Sequence, residues 1–268
     1  MTPRHPRKTS FEFPWWLLAL ALLGVLTLWT ILNDATYNQI FITLSRGILT
    51  TLWVTFGAFA LACLLGLLVA LARTSQNVVL RQVATFYTEL VRGIPVLVFL
   101  FYVAFVGGPW LVESVNELLD ALGITWLPRM TIRDFDFTWR AIVALTICYS
   151  SFIAEIFRAG IEAVDEGQIE AARALGLKPW QIFRHIVGPQ ALRTILPPLG
   201  NDFVSMIKDS ALVSALGVQD ITQLGKLSSA ANFKFFETYN VVAFLYLTMT
   251  ISLSLLVRLL EHRLRKGR

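Results

Sequence analysis

Charge is scarce in this chain. Only 15% of its 268 residues are Asp, Glu, Lys or Arg, against 56% hydrophobic, whereas a soluble domain carries roughly a quarter charged residues. That excludes an ordinary soluble enzyme or binding lobe and points to a membrane protein. Cysteine and histidine are scarcer still. Cys63 and Cys148 both fall inside apolar stretches, where free cysteine serves as a small core residue. His5, His185 and His262 are scattered without ligand spacing, so no metal site follows. The motifs of a motor or an enzyme are missing as well. A P-loop needs G-x-x-x-x-G-K-[ST], whose backbone N–H groups cradle phosphate. The nearest approach, Gly225-Lys226-Leu227, has Leu where the Mg²⁺-binding hydroxyl belongs and Asp220 where the first glycine belongs. No G-x-G-x-x-G, H-E-x-x-H or G-x-S-x-G occurs either. The sequence thus predicts no catalytic centre and no cofactor bound by this chain.

What is abundant is long apolar sequence. Stretches near the bilayer-crossing length of about 17–25 residues lie at 14–32, 47–72, 86–107, 138–158, 193–217 and 240–259, the third and fifth interrupted by polar residues. They predict an all-α integral membrane protein with about six transmembrane helices and little mass left for a soluble domain. The stretch 14–32 follows Arg4, Arg7 and Lys8, as in a signal peptide. It is longer than an h-region of about 7–15 residues and lacks an A-x-A-like site, so it reads as a retained first span.

Basic residues set the orientation. With six spans, the N-terminus, the 73–92 and 158–193 loops and the C-terminal tail share one side and hold 16 of the 23 Lys/Arg. The opposite side holds Arg46, Arg129, Arg133, Arg140, Lys226 and Lys234. Both termini are therefore expected in the cytoplasm. The basic tail, residues 263–268, reads as a stop-transfer and lipid-headgroup anchor, not a nucleic-acid site. On the outside, residues 107–137 have a net charge of −3, and Trp110, Leu111, Val115, Leu118, Leu119 and Leu122 recur at helical spacing. This reads as a short helix lying on the membrane surface or as a receiving surface for an external partner.

The cytoplasmic segment Glu170–Pro189 is unlike an ordinary loop. Glu170, Ala171, Ala172 and Ala174 open a strong helix, since alanine has the highest helix propensity, and the alanines leave faces without bulk. Gly176 is expected to stop that helix, and Pro179 to start the next. Ile182, Phe183, Ile186 and Val187 give the second helix an apolar stripe, Arg184 and His185 face headgroups or a partner, and Gly188-Pro189 is expected to close it.

Ionisable groups within spans are functional-site candidates by default. In the fifth span Asn201, Ser205 and Lys208 share one helical face, flanked by Asp202 and Asp209. Two readings stand: a line of groups along a watery path, or Lys208 paired with Asp202 or Asp209 to lock the spans together. Ser150 and Ser151 in the fourth span are further path candidates. Glu89 with Arg92, and Glu155 with Arg158, are spaced three apart and read as local helix-end ion pairs.

Glu170-Ala171-Ala172, then Gly176, Ile186 and Pro189, resembles the EAA motif of ABC importer permeases. Phe152–Ile161, Tyr87–Pro95, Pro197-Pro198-Leu199-Gly200-Asn201 and Ile207-Lys208-Asp209-Ser210 are similar to the polar amino acid subfamily, the histidine, glutamine, arginine and opine uptake permeases. The resemblance covers roughly residues 44–262, leaving 1–43 as an additional N-terminal segment with its own helix and 263–268 as the tail. It departs where Gly188-Pro189 replaces the family's usual Leu-Pro, and where stretch 14–32 adds to a usual five-span core. The resemblance implies a type I importer fold in a bacterial cytoplasmic (inner) membrane, with a coupling helix near 165–190. Glu170, Ala171, Ala172, Ala174 and Gly176 would enter a groove on a separate ABC ATPase subunit, whose dimer binds ATP and Mg²⁺. A second permease subunit and an extracytoplasmic solute-binding protein would complete the machine, with a polar amino acid as cargo. The alternative is an ion-coupled secondary amino acid transporter. Such folds often show inverted repeats with broken helices; no internal repeat is evident here.

Overall fold

Among the residues described by the computed structural model, Trp15–Lys266, all regular structure is helical. The basic positions Arg4, Arg7 and Lys8 and the end of the tail, Gly267-Arg268, lie outside them. Helix α1 (Trp15–Asn33) ends at Asp34, whose carboxylate accepts from the Thr36 and Tyr37 N–H groups and so caps α2 (Ala35–Ser45). Beyond Arg46, α3 (Gly47–Arg73) runs the length of the bundle, and Asn77 caps α4 (Val78–Gly93). Proline then breaks the chain at Ile94-Pro95, because it cannot donate to the helical ladder.

The expected third span, 86–107, is therefore divided. Its membrane-length helix is Val96–Ala121, built from α5 (Val96–Tyr102), a π-turn at Val103–Gly107 and α6 (Gly108–Ala121). Residues 108–121, expected as a short helix of their own, instead continue that helix without a break. The π-turn is what lets the helix pass Pro109. The Gly108 N–H bonds five residues back, to Val103, and the missing Pro109 N–H leaves the next carbonyl, Ala104, to another donor. Arg140 provides it.

Helix α7 (Phe137–Glu162) begins beside this turn, capped by Asp136. Arg140 is 6% exposed and donates to three backbone carbonyls: Ala104 at 3.0 Å, Ile132 at 2.7 Å and Phe135 at 2.6 Å. Its guanidinium also lies 4.7 Å from the centre of the Phe137 ring. One side chain thus joins the π-turn to the loop that precedes α7. That loop is further pinned by Asn116, which exchanges two hydrogen bonds with the Met130 backbone, and by an Arg129–Asp120 ion pair. At its rim the Thr131 hydroxyl and N–H hold the Asp134 carboxyl below the usual carboxylate range.

The densest packing joins α3 to α7. Ala58, Ala62, Gly66 and Ala70 recur every four residues on the buried face of α3, so the two backbones approach closely. A β-carbon on Gly66 would lie 2.9 Å from Ile153. Val54, Leu100, Ile142, Leu145, Ile153 and Met206 fill the remaining core.

After α7 come α8 (Glu166–Ala174), α9 (Pro179–Ile182), a second π-turn at Phe183–Val187, α10 (Gly188–Asp209), a 3₁₀ segment at Ser210–Leu216, α11 (Ile221–Asn232) and α12 (Phe235–Lys266). Among the described residues, four helices can cross a membrane by length and apolarity: Ala35–Arg73, Val96–Ala121, Phe137–Glu162 and Phe235–Leu260, with α1 a shorter apolar helix. The stretch 193–217 falls on the more polar α10, with Pro197-Pro198 in its interior, and on the 3₁₀ segment that follows it. Helix α1 reaches the interior through Ile31, in a cluster with Ile40, Leu44, Ile221 and Val241, and exposes Leu22, Leu23, Val25, Trp29 and Leu32.

Candidate coupling surface and polar stripe

Asp165 caps α8 by accepting from the Gln168 N–H. Glu166 in the first turn and Arg173 in the last complement the helix dipole. The helix ends in a full Schellman motif. The Gly176 N–H bonds Arg173, the Leu177 N–H bonds Ala172, and Gly176 has φ +77°. Pro179 then opens α9 at its first position.

The expected stop at Gly188-Pro189 is not a stop. The chain runs through the π-turn into α10, with the Gly188 N–H bonding five residues back to Phe183. A β-carbon at 188 would come within 2.9 Å of that carbonyl oxygen, so glycine is what permits the wide turn, and the wide turn accommodates Pro189.

The faces of α8 divide the predicted set. Ala172 is 2% exposed, packed with Val164, Ile182 and Val187; it anchors the helix and is not available to a partner. Glu170, Ala171, Ala174 and Gly176 are exposed. Leu175, 81% exposed, and Trp180, 65% exposed, stand beside them, with Trp180 stacked on Phe183 at 6.0 Å. The apolar stripe of the second helix is divided: Ile182 and Val187 are buried, while Phe183 is exposed. A hydrogen bond donated by Gln190 Nε2 to Gln168 Oε1, 2.7 Å, fastens α8 to α10. Helical spacing did not single out the exposed apolar side chains at 175 and 180, because they lie at the turn between two short helices.

On α10, Asn201 and Lys208 are exposed and Ser205 is half-buried, so the three share an open face. Lys208 pairs with neither Asp202 nor Asp209, against the pairing reading. Asp209 accepts from the Tyr149 hydroxyl at 2.8 Å, and the buried Asp202 Oδ2 has no hydrogen-bond partner among the described residues. Ser150 and Ser151 present no open face. Both are fully buried and bond their own helix, and Ser150 also meets the Tyr87 hydroxyl at 2.7 Å.

The two ion-pair expectations part ways. Glu89 and Arg92 form none; Arg92 reaches across to α7 and lies over the Phe152 ring at 5.3 Å. Glu155 and Arg158 do pair, and the network extends to Arg73 on α3 and Glu162 at the end of α7.

A bundle of membrane-length helices with the short helix α8 exposed on one side is the architecture of a multi-pass membrane protein. Residues 62–266 match the family described as binding-protein-dependent transport system inner membrane component, and the chain belongs to that family. It is 34% identical to the glutamine transport system permease protein GlnP of Escherichia coli (strain K12) over 222 residues, covering 83% of this chain and 93% of that protein. It is 36% identical to the probable glutamine ABC transporter permease protein GlnM of Bacillus subtilis (strain 168) over 223 residues, 82% of this chain and 93% of that one. Among solved structures it is similar to an amino acid ABC transporter with histidines, at TM-score 0.69 and 36% identity, over 87% of this chain and 98% of that chain. The inward-facing MetNI methionine ABC transporter shares the fold at TM-score 0.62 and 21% identity, over 82% and 95%. The chain is thus an ABC permease of the inner membrane, and the ion-coupled alternative falls away.

Proposed function

We propose that this chain is the membrane-spanning permease subunit of an ATP-driven importer of polar amino acids, with both termini in the cytoplasm. The observation that carries the reading is α8. It is a short helix locked to the bundle by Ala172 and Gln168, with Glu170, Ala171 and Ala174 turned outward and the exposed Leu175 and Trp180 beside them. In this reading α8 enters a groove on an ABC ATPase subunit, and ATP with Mg²⁺ is held by the dimer of those subunits. A second permease subunit, the same or a related chain, faces α10, and an external solute-binding protein delivers the cargo. The names of the relatives, glutamine and other amino acid permeases, support the substrate class.

Two measurements test this. The wild-type chain is expected to co-purify an ABC ATPase. Ala174→Arg, at an exposed position, should cut that yield about tenfold or more while thermal stability stays within about 0.5 kcal/mol. Undiminished co-purification would sink the docking assignment. Lys208→Ala should lower amino acid uptake several-fold at unchanged stability, because Lys208 has no ion pair to lose. Wild-type uptake would remove the Asn201–Ser205–Lys208 face, and the flanking Asp202 and Asp209, from the path.

A further inference from the structure

We infer that Arg73 is a positioning residue that makes α3 move together with the coupling helix α8, an inference that rests on the importer reading above. Arg73 is the last residue of α3, one turn beyond the buried Ala70. Its Nη1 donates to Glu155 Oε2 on α7 at 2.6 Å, with the Arg73 side chain only 13% exposed. The same carboxylate also takes two donors from Arg158, whose other Nη bonds Glu162. The four charges alternate in sign from the end of α3 to the last residue of α7.

Glu162 is followed by Ala163, Val164 and the α8 cap, Asp165. Val164 is buried against Ala172, Ile182 and Val187, so α8 cannot be displaced without carrying the last turn of α7. There α7 is bound on two flanks. A β-carbon on Gly160 would fall 2.2 Å from Ile195 of α10, which fixes close contact on that side. On the other side the packing of small residues along α3 ends at Ala70, and Arg73–Glu155 is the one ion pair among the described residues that joins α3 to α7. Small-residue faces resist compression yet permit sliding; a charge-assisted bond with fixed geometry resists sliding. The arginine therefore sets whether a push on α8 reaches α3 or is lost as slip between α3 and α7.

The test is made on the complete importer, reconstituted with its ATPase and binding protein in liposomes, by measuring uptake per ATP hydrolysed together with the melting temperature. Arg73→Met should lower uptake per ATP roughly 2- to 30-fold, the range by which residues along a coupling network act, with hydrolysis largely retained. Arg73→Lys, which keeps the charge, should restore most of the ratio. If Arg73→Met does not assemble, Arg73→Gln is read in the same way. A neutral variant with the wild-type ratio overturns the inference, whether or not the complex melts earlier, since a residue serving stability alone lowers uptake and hydrolysis together. ATP-driven uptake by the wild type is the reference: its presence confines a failure to Arg73, and its absence overturns the importer reading as well.

Discussion

Gly176→Val is expected to abolish coupled uptake while leaving the chain inserted in the membrane. Gly176 holds φ +77° at the end of α8, and its own N–H and that of Leu177 close the Schellman turn. A β-branched residue in the left-handed region costs about 2 kcal/mol or more, a sizeable share of what holds a nine-residue helix in place. The space around the glycine is open, with no atom within 4 Å of an added β-carbon, so the effect comes from backbone conformation and not from a clash. Uptake should fall at least tenfold, a loss of the order of the 1.4 kcal/mol that a factor of ten requires. Gly176→Asn, which tolerates left-handed geometry, should keep most activity. Equal behaviour of the two variants would remove the conformational explanation. Survival of both uptake and ATPase stimulation in Gly176→Val would remove α8 from the coupling path.

Arg140→Met should be the most destabilising of these substitutions. Three carbonyls lose their donor, and the one at Ala104 belongs to a fully buried residue. Buried acceptors left unsatisfied cost about 1–3 kcal/mol each, so a loss of about 3 kcal/mol is expected even after partial rehydration of the loop carbonyls. Thermal unfolding of the detergent-purified chain reads it directly. Arg140→Lys should recover little, since one ammonium cannot reproduce a planar fork spanning three acceptors. A Met variant that melts with the wild type would mean that the π-turn at Val103–Gly107 holds itself.

Local chemistry was legible in the sequence wherever a few neighbouring residues decide the outcome. The Gly176 break and the Pro179 restart lie where the turn rules put them, whereas the helix that the alanines were expected to open at Glu170 starts earlier, at Glu166, because Asp165 caps it there. Facing was not legible. Ala171, Ala172 and Ala174 are the same residue type, and which of them turns inward depends on where Ile182 and Val187 land after two turns of chain. Gly188-Pro189 carries the local signature of a stop, yet continues, because the outcome turns on the space between position 188 and the Phe183 carbonyl. Glu89–Arg92 and Glu155–Arg158 have identical spacing, and only the second pairs; the first loses its arginine to Phe152 on another helix. Arg73 lies 82 residues from Glu155, beyond the reach of any rule based on neighbours.

The π-turn at Phe183–Val187 inserts one residue into the run that continues as α10, and one residue is about 100° of helical rotation. The turn therefore acts as an indexing step. It sets which side of the downstream helix Asn201 and Lys208 occupy, relative to the anchored side fixed by Ile182 upstream. Without the added residue, the same sequence would swing its exposed lysine by more than a quarter-turn, into the buried place that Ile207 now holds. The angular setting of the polar stripe is thus decided near the coupling surface, more than five helical turns away from Lys208.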